Sequence, residues 1–132
     1  MSQEYVVPED LYYHREHTWA RVEGDGVRVG LTDYAQKALR DIVLVEVVSL
    51  GQEVSQGESI GTVESIKAVS DLVAPVSGEV AEFNSELQAS PDLVNRDPYG
   101  DGWIVVMKPT NLEEDLKNLL DAKSYLEYVK QL

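Results

Sequence analysis

The sequence predicts a mainly β protein, a small sandwich or flattened barrel, and three observations predict it. Short runs of β-type residues recur between Gly, Pro and Ser signals. The clearest, Val27 to Leu31, alternates with period two. Helical pattern is confined to a short stretch near 33–40 and a C-terminal tail over 111–131.

Val27, Val29 and Leu31 share one face of a strand, and Gly24-Asp25-Gly26 joins it to Thr18–Val22 as a hairpin. Residues 42–48 are apolar on nearly both faces, so a strand covered on both sides is expected there. Further strands are expected at 53–54, 59–64, 69–73, 78–84 and 103–108. Thr32 can cap a helix over 33–40, with Asp33 at the positive end of its dipole. In the tail, Asn111 can cap a first turn of Glu113, Glu114 and Asp115, with Leu116, Leu119 and Leu120 as its apolar stripe. A break at Asp121-Ala122-Lys123 precedes a second helix carrying Tyr125, Leu126 and Val129. Trp19, Trp103 and Phe83 are expected in the core. With no linker or low-complexity segment, one domain over 1–132 is expected.

Composition narrows function. A formal charge of −13 argues against nucleic-acid and anionic-membrane partners, which need positive charge to meet phosphates. The absence of cysteine excludes disulfides, thiolate metal sites and a cysteine nucleophile, so any redox chemistry must come from an attached group. His14 and His17 lie three apart without a third ligand, and no metal site is expected. Residues 1–10 lack a basic region and an apolar run, and the longest apolar run is four residues, so a cytoplasmic location is expected.

One residue stands out. From Asp41 to Asn95, Lys67 is the single basic residue among ten acidic ones, where an ordinary solvated surface would mix both signs. The flanking sequence is nearly mirror-symmetric: Val63 reflects onto Leu72, Glu64 onto Asp71, Ser65 onto Ser70, and Ile66 onto Val69. The mirror falls between Lys67 and Ala68, which predicts a hairpin tip at 66–69. Asn-Gly or Asp-Gly turn chemistry is missing there. Catalytic lysines are activated by burial or a neighbouring cation, and this one has acidic neighbours at a protruding point. Covalent modification by a partner enzyme suits such an amine better than catalysis.

Gly61-Thr62-Val63-Glu64-Ser65-Ile66-Lys67-Ala68, followed by Ser70-Asp71, Ala74-Pro75 and Ser77-Gly78-Glu79-Val80, resembles the lipoyl-attachment motif of the glycine cleavage system H-protein family. The likeness continues through Val29 to Gln36, Leu93-Val94-Asn95 and Asp97 to Trp103, and so covers essentially the whole chain. A biotin carrier usually sets its lysine between methionines, whereas Ile66 and Ala68 flank Lys67.

The resemblance implies a lipoyl/biotinyl-type barrel-sandwich hybrid of two small antiparallel sheets. It also implies a non-catalytic carrier with lipoate amide-linked to Lys67, a swinging arm that shuttles an aminomethyl group between enzymes. The implied partners are a lipoate ligase or lipoyltransferase, glycine decarboxylase, aminomethyltransferase and dihydrolipoyl dehydrogenase. A shuttle must leave each partner, so a monomer is expected. Glu64, Ser65, Ile66, Ala68, Ser70 and Asp71 would serve recognition, although strand solvation alone accounts equally well for each acidic residue. Glu16, His17, Thr18, Leu31 and Ala35 would line a cleft shielding the loaded arm.

Three positions depart from the family pattern. His-Glu-Trp is His17-Thr18-Trp19 here, which removes a carboxylate suited to an ammonium. Glu16 can substitute if the strand begins early enough to place it on the same face. Leu-Gly-Asp is Leu39-Arg40-Asp41, and a Leu-Pro pair is missing near Val48-Ser49. A second reading therefore stays open: a lipoate-binding paralogue that carries sulfur species for a heterodisulfide-reductase-like complex and needs no such carboxylate. A relay that hands lipoate to other proteins is a third.

Overall fold

The computed structural model describes residues 4–132; residues 1–3, part of the stretch 1–10 read above for charge and apolar runs, lie outside the described residues. Two antiparallel sheets face each other without closing into a barrel, as the mainly β expectation required. The larger sheet contains β1 (Tyr12–Tyr13), β2 (Thr18–Glu23), β3 (Gly26–Leu31), β5 (Glu53–Val54), β8 (Gly78–Phe83) and β9 (Val105–Pro109), in the order β1-β2-β3-β9-β8-β5. The smaller has β4 (Ile42–Val47), β6 (Ser59–Ser65) and β7 (Val69–Val73), in the order β4-β6-β7.

Between the sheets lies a core of Val27, Val29, Leu31, Ile60, Val63, Leu72, Val80, Ile104 and Met107, all nearly fully buried. The period-two face of β3 is part of it, since alternate residues of a half-buried strand turn inward. The β2–β3 hairpin turns at Gly24, whose φ of 58° lies in the left-handed region that costs glycine nothing. Trp19 packs directly on Gly30, where any Cβ would meet the indole ring.

Helix α1 (Asp33–Leu39) starts as expected, with Thr32 Oγ1 accepting from the Ala35 amide. The tail divides into α4 (Leu112–Lys117) and α5 (Ala122–Lys130). Asn111 precedes α4 without a side-chain cap bond, and Asp121 caps α5 by accepting from Ser124 N. A second apolar cluster forms where α5 covers β1 and β2, joining Leu11, Tyr13, Trp19, Tyr125 and Val129. Tyr13 and Tyr125 stack there at 4.8 Å between ring centroids.

Several expectations need correction. Strand β4 is not covered on both sides: a bulge between Ile42 and Leu44 leaves Val43 and Leu44 exposed at 47% and 42%. Trp103 and Phe83 are only half-buried, and the Arg28 guanidinium lies over the Trp103 ring at 4.6 Å. Strand β1 and the single-turn helices α2 (Glu86–Ala89) and α3 (Leu93–Arg96) were not foreseen. Among the described residues, no helix is long and apolar enough to cross a membrane.

Candidate functional site: a lysine at a hairpin tip beside a cleft

The β6–β7 hairpin carries Lys67 at its tip, exposed and without an ion pair among the described residues. The expected mirror is displaced: Glu64 pairs with Val69 and Val63 with Ser70, so the two-residue tip is Ile66-Lys67. The turn works without Asn-Gly because Ser65 organises it. Ser65 is 4% exposed, and its Oγ accepts from the amides of Lys67 (3.3 Å) and Ala68 (3.1 Å) and donates to the Ala68 carbonyl (3.2 Å). Its amide also donates to the Ala68 carbonyl at 2.7 Å. The Ile66 amide donates to the Asp41 carbonyl, which ties the tip to the start of β4.

Beside the tip lies an open cleft of about 300 Å³ that reaches from Lys67, Ala68 and Ser70 to α1 and the β1–β2 turn. Four of the five expected lining residues are there: Glu16, His17, Leu31 and Ala35. Tyr34, Ala38 and Leu39 of α1 complete it, and a helical face of residues 34, 35, 38 and 39 was the signal that could have found them.

Thr18 is the exception. It is fully buried, absent from the cleft wall, and its Oγ1 has no hydrogen-bond partner among the described residues. Strand β2 begins at Thr18, so Glu16 does not share a strand face with it. Residues 14–17 form a turn closed by the His17 amide donating to the His14 carbonyl at 2.9 Å, and that turn brings Glu16 to the cleft.

His17 ends this turn with a φ of 72°, in the left-handed region. Its Nδ1 lies 2.9 Å from Tyr125 Oη, which lies 2.7 Å from Thr32 Oγ1. Tyr34, Tyr125 and Tyr128 surround the imidazole. Burial lowers the His17 pKa from its ordinary value, opposed by the Glu16 carboxylate and reinforced by His14. The Tyr125 phenol is pushed up, chiefly by burial.

On the other side of the tip, the smaller sheet presents an outward face. Leu44, Glu64 and Val69 align in one row across three strands, and Glu46, Thr62 and Asp71 in the next. Ile66 and Val69 are 77% and 62% exposed. Glu64 therefore faces solvent between apolar Leu44 and Val69, Asp71 lies in the polar row beside it, and Ser65 points inward to its turn.

The junction of α1 and β4 is locked by Asn95. It donates to Gln36 Oε1 and the Arg40 carbonyl and accepts from the Ile42 amide. Arg40 stands where the resembling family has glycine, and its φ of 67° and ψ of −141° belong to a region glycine alone enters freely. Among the described residues, no cluster of His, Asp and Glu could hold a metal ion.

Comparison with known proteins agrees with this geometry. The family profile described as Glycine cleavage H-protein matches residues 11–132. The chain is 58% identical over 130 residues to the probable glycine cleavage system H protein of Pyrococcus abyssi, covering 98% of this chain and 96% of that one. It is 50% identical over 124 residues to the glycine cleavage system H protein of Thermus thermophilus, covering 94% and 96%. The crystal structure of a glycine cleavage system H protein from Mycobacterium marinum superposes with a TM-score of 0.85 at 40% identity, covering 96% of this chain and all of that one. The chain belongs to the glycine cleavage H-protein family.

Proposed function

We propose that Lys67 carries lipoate as an amide and that the chain is a non-catalytic carrier in glycine cleavage. The observation that carries this is the position of the amine: exposed at a two-residue tip, free of ion pairs among the described residues, and at the mouth of a cleft. An amine held in a salt bridge would be a poor substrate for acylation, and amide formation removes its charge. When bound, lipoate supplies the thiol and disulfide chemistry that a chain without cysteine lacks. The chain's own residues present the arm and receive it. Ala68 and Ser70 floor the cleft near the tip, Leu31, Ala35 and Leu39 give it an apolar side, and Glu16 gives it a carboxylate.

That carboxylate favours an aminomethyl load over a sulfur load. An ammonium near Glu16 gains Coulomb energy, so the cleft has a carboxylate although position 18 carries none. The named relatives favour glycine cleavage over a sulfur-oxidation carrier as well.

The outward face of Leu44, Val69, Glu64 and Asp71 suits enzymes that pair an apolar patch with basic side chains. A lipoate ligase or lipoyltransferase, glycine decarboxylase, aminomethyltransferase and dihydrolipoyl dehydrogenase are the enzymes that must meet the tip. This reading assigns the work of the carrier, as a monomer, to the cytoplasm. Tethering keeps the carried group at high local concentration between partners.

Lipoylated protein is expected to support carbon dioxide release from glycine by glycine decarboxylase, and Lys67→Arg to support none. Glu16→Gln is expected to shorten the lifetime of the carried group several-fold. No glycine-dependent release with lipoylated protein and a competent decarboxylase would reject the glycine cleavage assignment.

A further inference from the structure

The cleft wall contains a hydroxyl chain whose proton order can be deduced. Thr32 and Tyr125 are both fully buried. Thr32 Oγ1 already accepts from the Ala35 amide, so its own proton needs an acceptor, and the one in reach is Tyr125 Oη at 2.7 Å. Tyr125 has one proton left to give, and its remaining partner is His17 Nδ1 at 2.9 Å. Every other ordering leaves a buried hydroxyl without an acceptor. Nδ1 therefore accepts, and the ring proton sits on Nε2.

No partner occupies Nε2 among the described residues, and the atom is not enclosed, since Thr18 Oγ1 alone is buried without a hydrogen bond. His17 also lines the cleft beside Lys67. We propose that His17 is a positioning residue that meets the carried arm as a hydrogen-bond donor through Nε2–H, its tautomer set by the Thr32–Tyr125 hydroxyl chain. This inference rests on the carrier reading above.

The chemistry sorts the two polar groups of the wall. A lipoyl arm offers acceptors, an amide carbonyl and sulfur atoms, which a donor can hold. An ammonium offers no acceptor, so it belongs to Glu16 instead. Burial lowers the ring's pKa, which favours the neutral form with its accepting Nδ1 and without repulsion toward a cation. The titratable and charged groups around the ring are Glu16 and His14 on its own turn, Tyr34 on α1, Tyr125 and Tyr128 on α5, and Lys67 across the cleft.

The tautomer can be read on the unmodified chain by long-range nitrogen–proton NMR. Nδ1 is expected as the unprotonated nitrogen and Nε2 as the protonated one, and in folded Tyr125→Phe the imidazole midpoint rises by roughly one pH unit. The positioning role is read as the lifetime of the carried group on the loaded protein. His17→Gln keeps a donor near the Nε2 position but leaves the Tyr125 hydroxyl without its acceptor, and is expected to lose the group more slowly than His17→Asn. His17→Asn tolerates the left-handed backbone better but cannot reach, and is expected to lose the group about fivefold faster. A proton on Nδ1 overturns the inference, and so do equal lifetimes in all three proteins or equal losses in both variants. A chain that accepts no lipoyl group would instead overturn the carrier reading, with the tautomer result still standing.

Discussion

The two sides of the cleft are built in opposite ways. The tip is local: Ser65 holds Lys67 and Ala68 through contacts no more than three residues apart. The facing wall is assembled over distance, with His17 and Tyr125 108 residues apart and Thr32 and Tyr125 93 apart. The tip, which other enzymes would reach in the proposed carrier, is exposed and held mainly by its own turn, with one tie from the Ile66 amide to the Asp41 carbonyl. The facing wall, which would receive the arm in the proposed carrier, is partly buried and braced by α5. A carrier gains from this division, because the tip can enter a partner without disturbing the wall.

The largest change in stability is expected from Ser65→Ala, which breaks the tip. It removes a hydroxyl that makes three bonds within the turn, at a cost of about 2 kcal/mol. Denaturant midpoints check the cost. Unchanged His17 and Tyr125 resonances would confirm that the wall stands apart, and their displacement would break the comparison.

Arg40→Gly acts where the two sides meet, between α1 and β4. Relief of the positive-φ strain outweighs the extra chain entropy, and a gain of about 1 kcal/mol is expected, read as a higher melting temperature. A lower melting temperature would mean that the arginine side chain supplies something beyond its backbone shape.

A smaller gain, about 0.5 kcal/mol, is expected from Thr18→Val. It replaces an unpartnered buried hydroxyl with a methyl group of similar shape. Destabilisation would show that the hydroxyl has a role in the wall.

Acid should produce the smallest effect, because His17 is only partly enclosed. Its pKa is lowered in the fold, so the unfolded chain binds the proton first. Its contribution is complete above the ordinary imidazole value of 6.5 and fades as the pH drops below it toward the folded value. His14, also lowered chiefly by burial, adds in the same direction. His17→Gln should flatten this slope in melting temperature against pH, and an unchanged slope would remove His17 as a contributor.

The same division explains what the sequence made legible. Lys67 stood out because charge and near-symmetry are local properties, and the strands around it followed from alternation. Register was missed by two residues because the mirror of residue types says nothing of where Ser65 folds back on Ala68. His17, Thr18, Leu31 and Ala35 came from family resemblance, and Glu16 from a two-residue offset on a strand that in fact begins only at Thr18, whose side chain β2 buries. Tyr125 appeared only as one apolar position on a tail helix. Nothing local to it announces that its hydroxyl reaches Thr32 and His17. The outward exposure of Val43 and Leu44 was likewise hidden, because a bulge is not written in hydrophobicity alone.

Intact-mass measurement after incubation with lipoate, ATP and a lipoate ligase tests the role of Lys67 most directly. One lipoyl group is expected on the wild-type chain, mapped by peptide sequencing to Lys67, and none on Lys67→Arg. An unmodified wild-type chain, or an adduct that persists in Lys67→Arg, would contradict it.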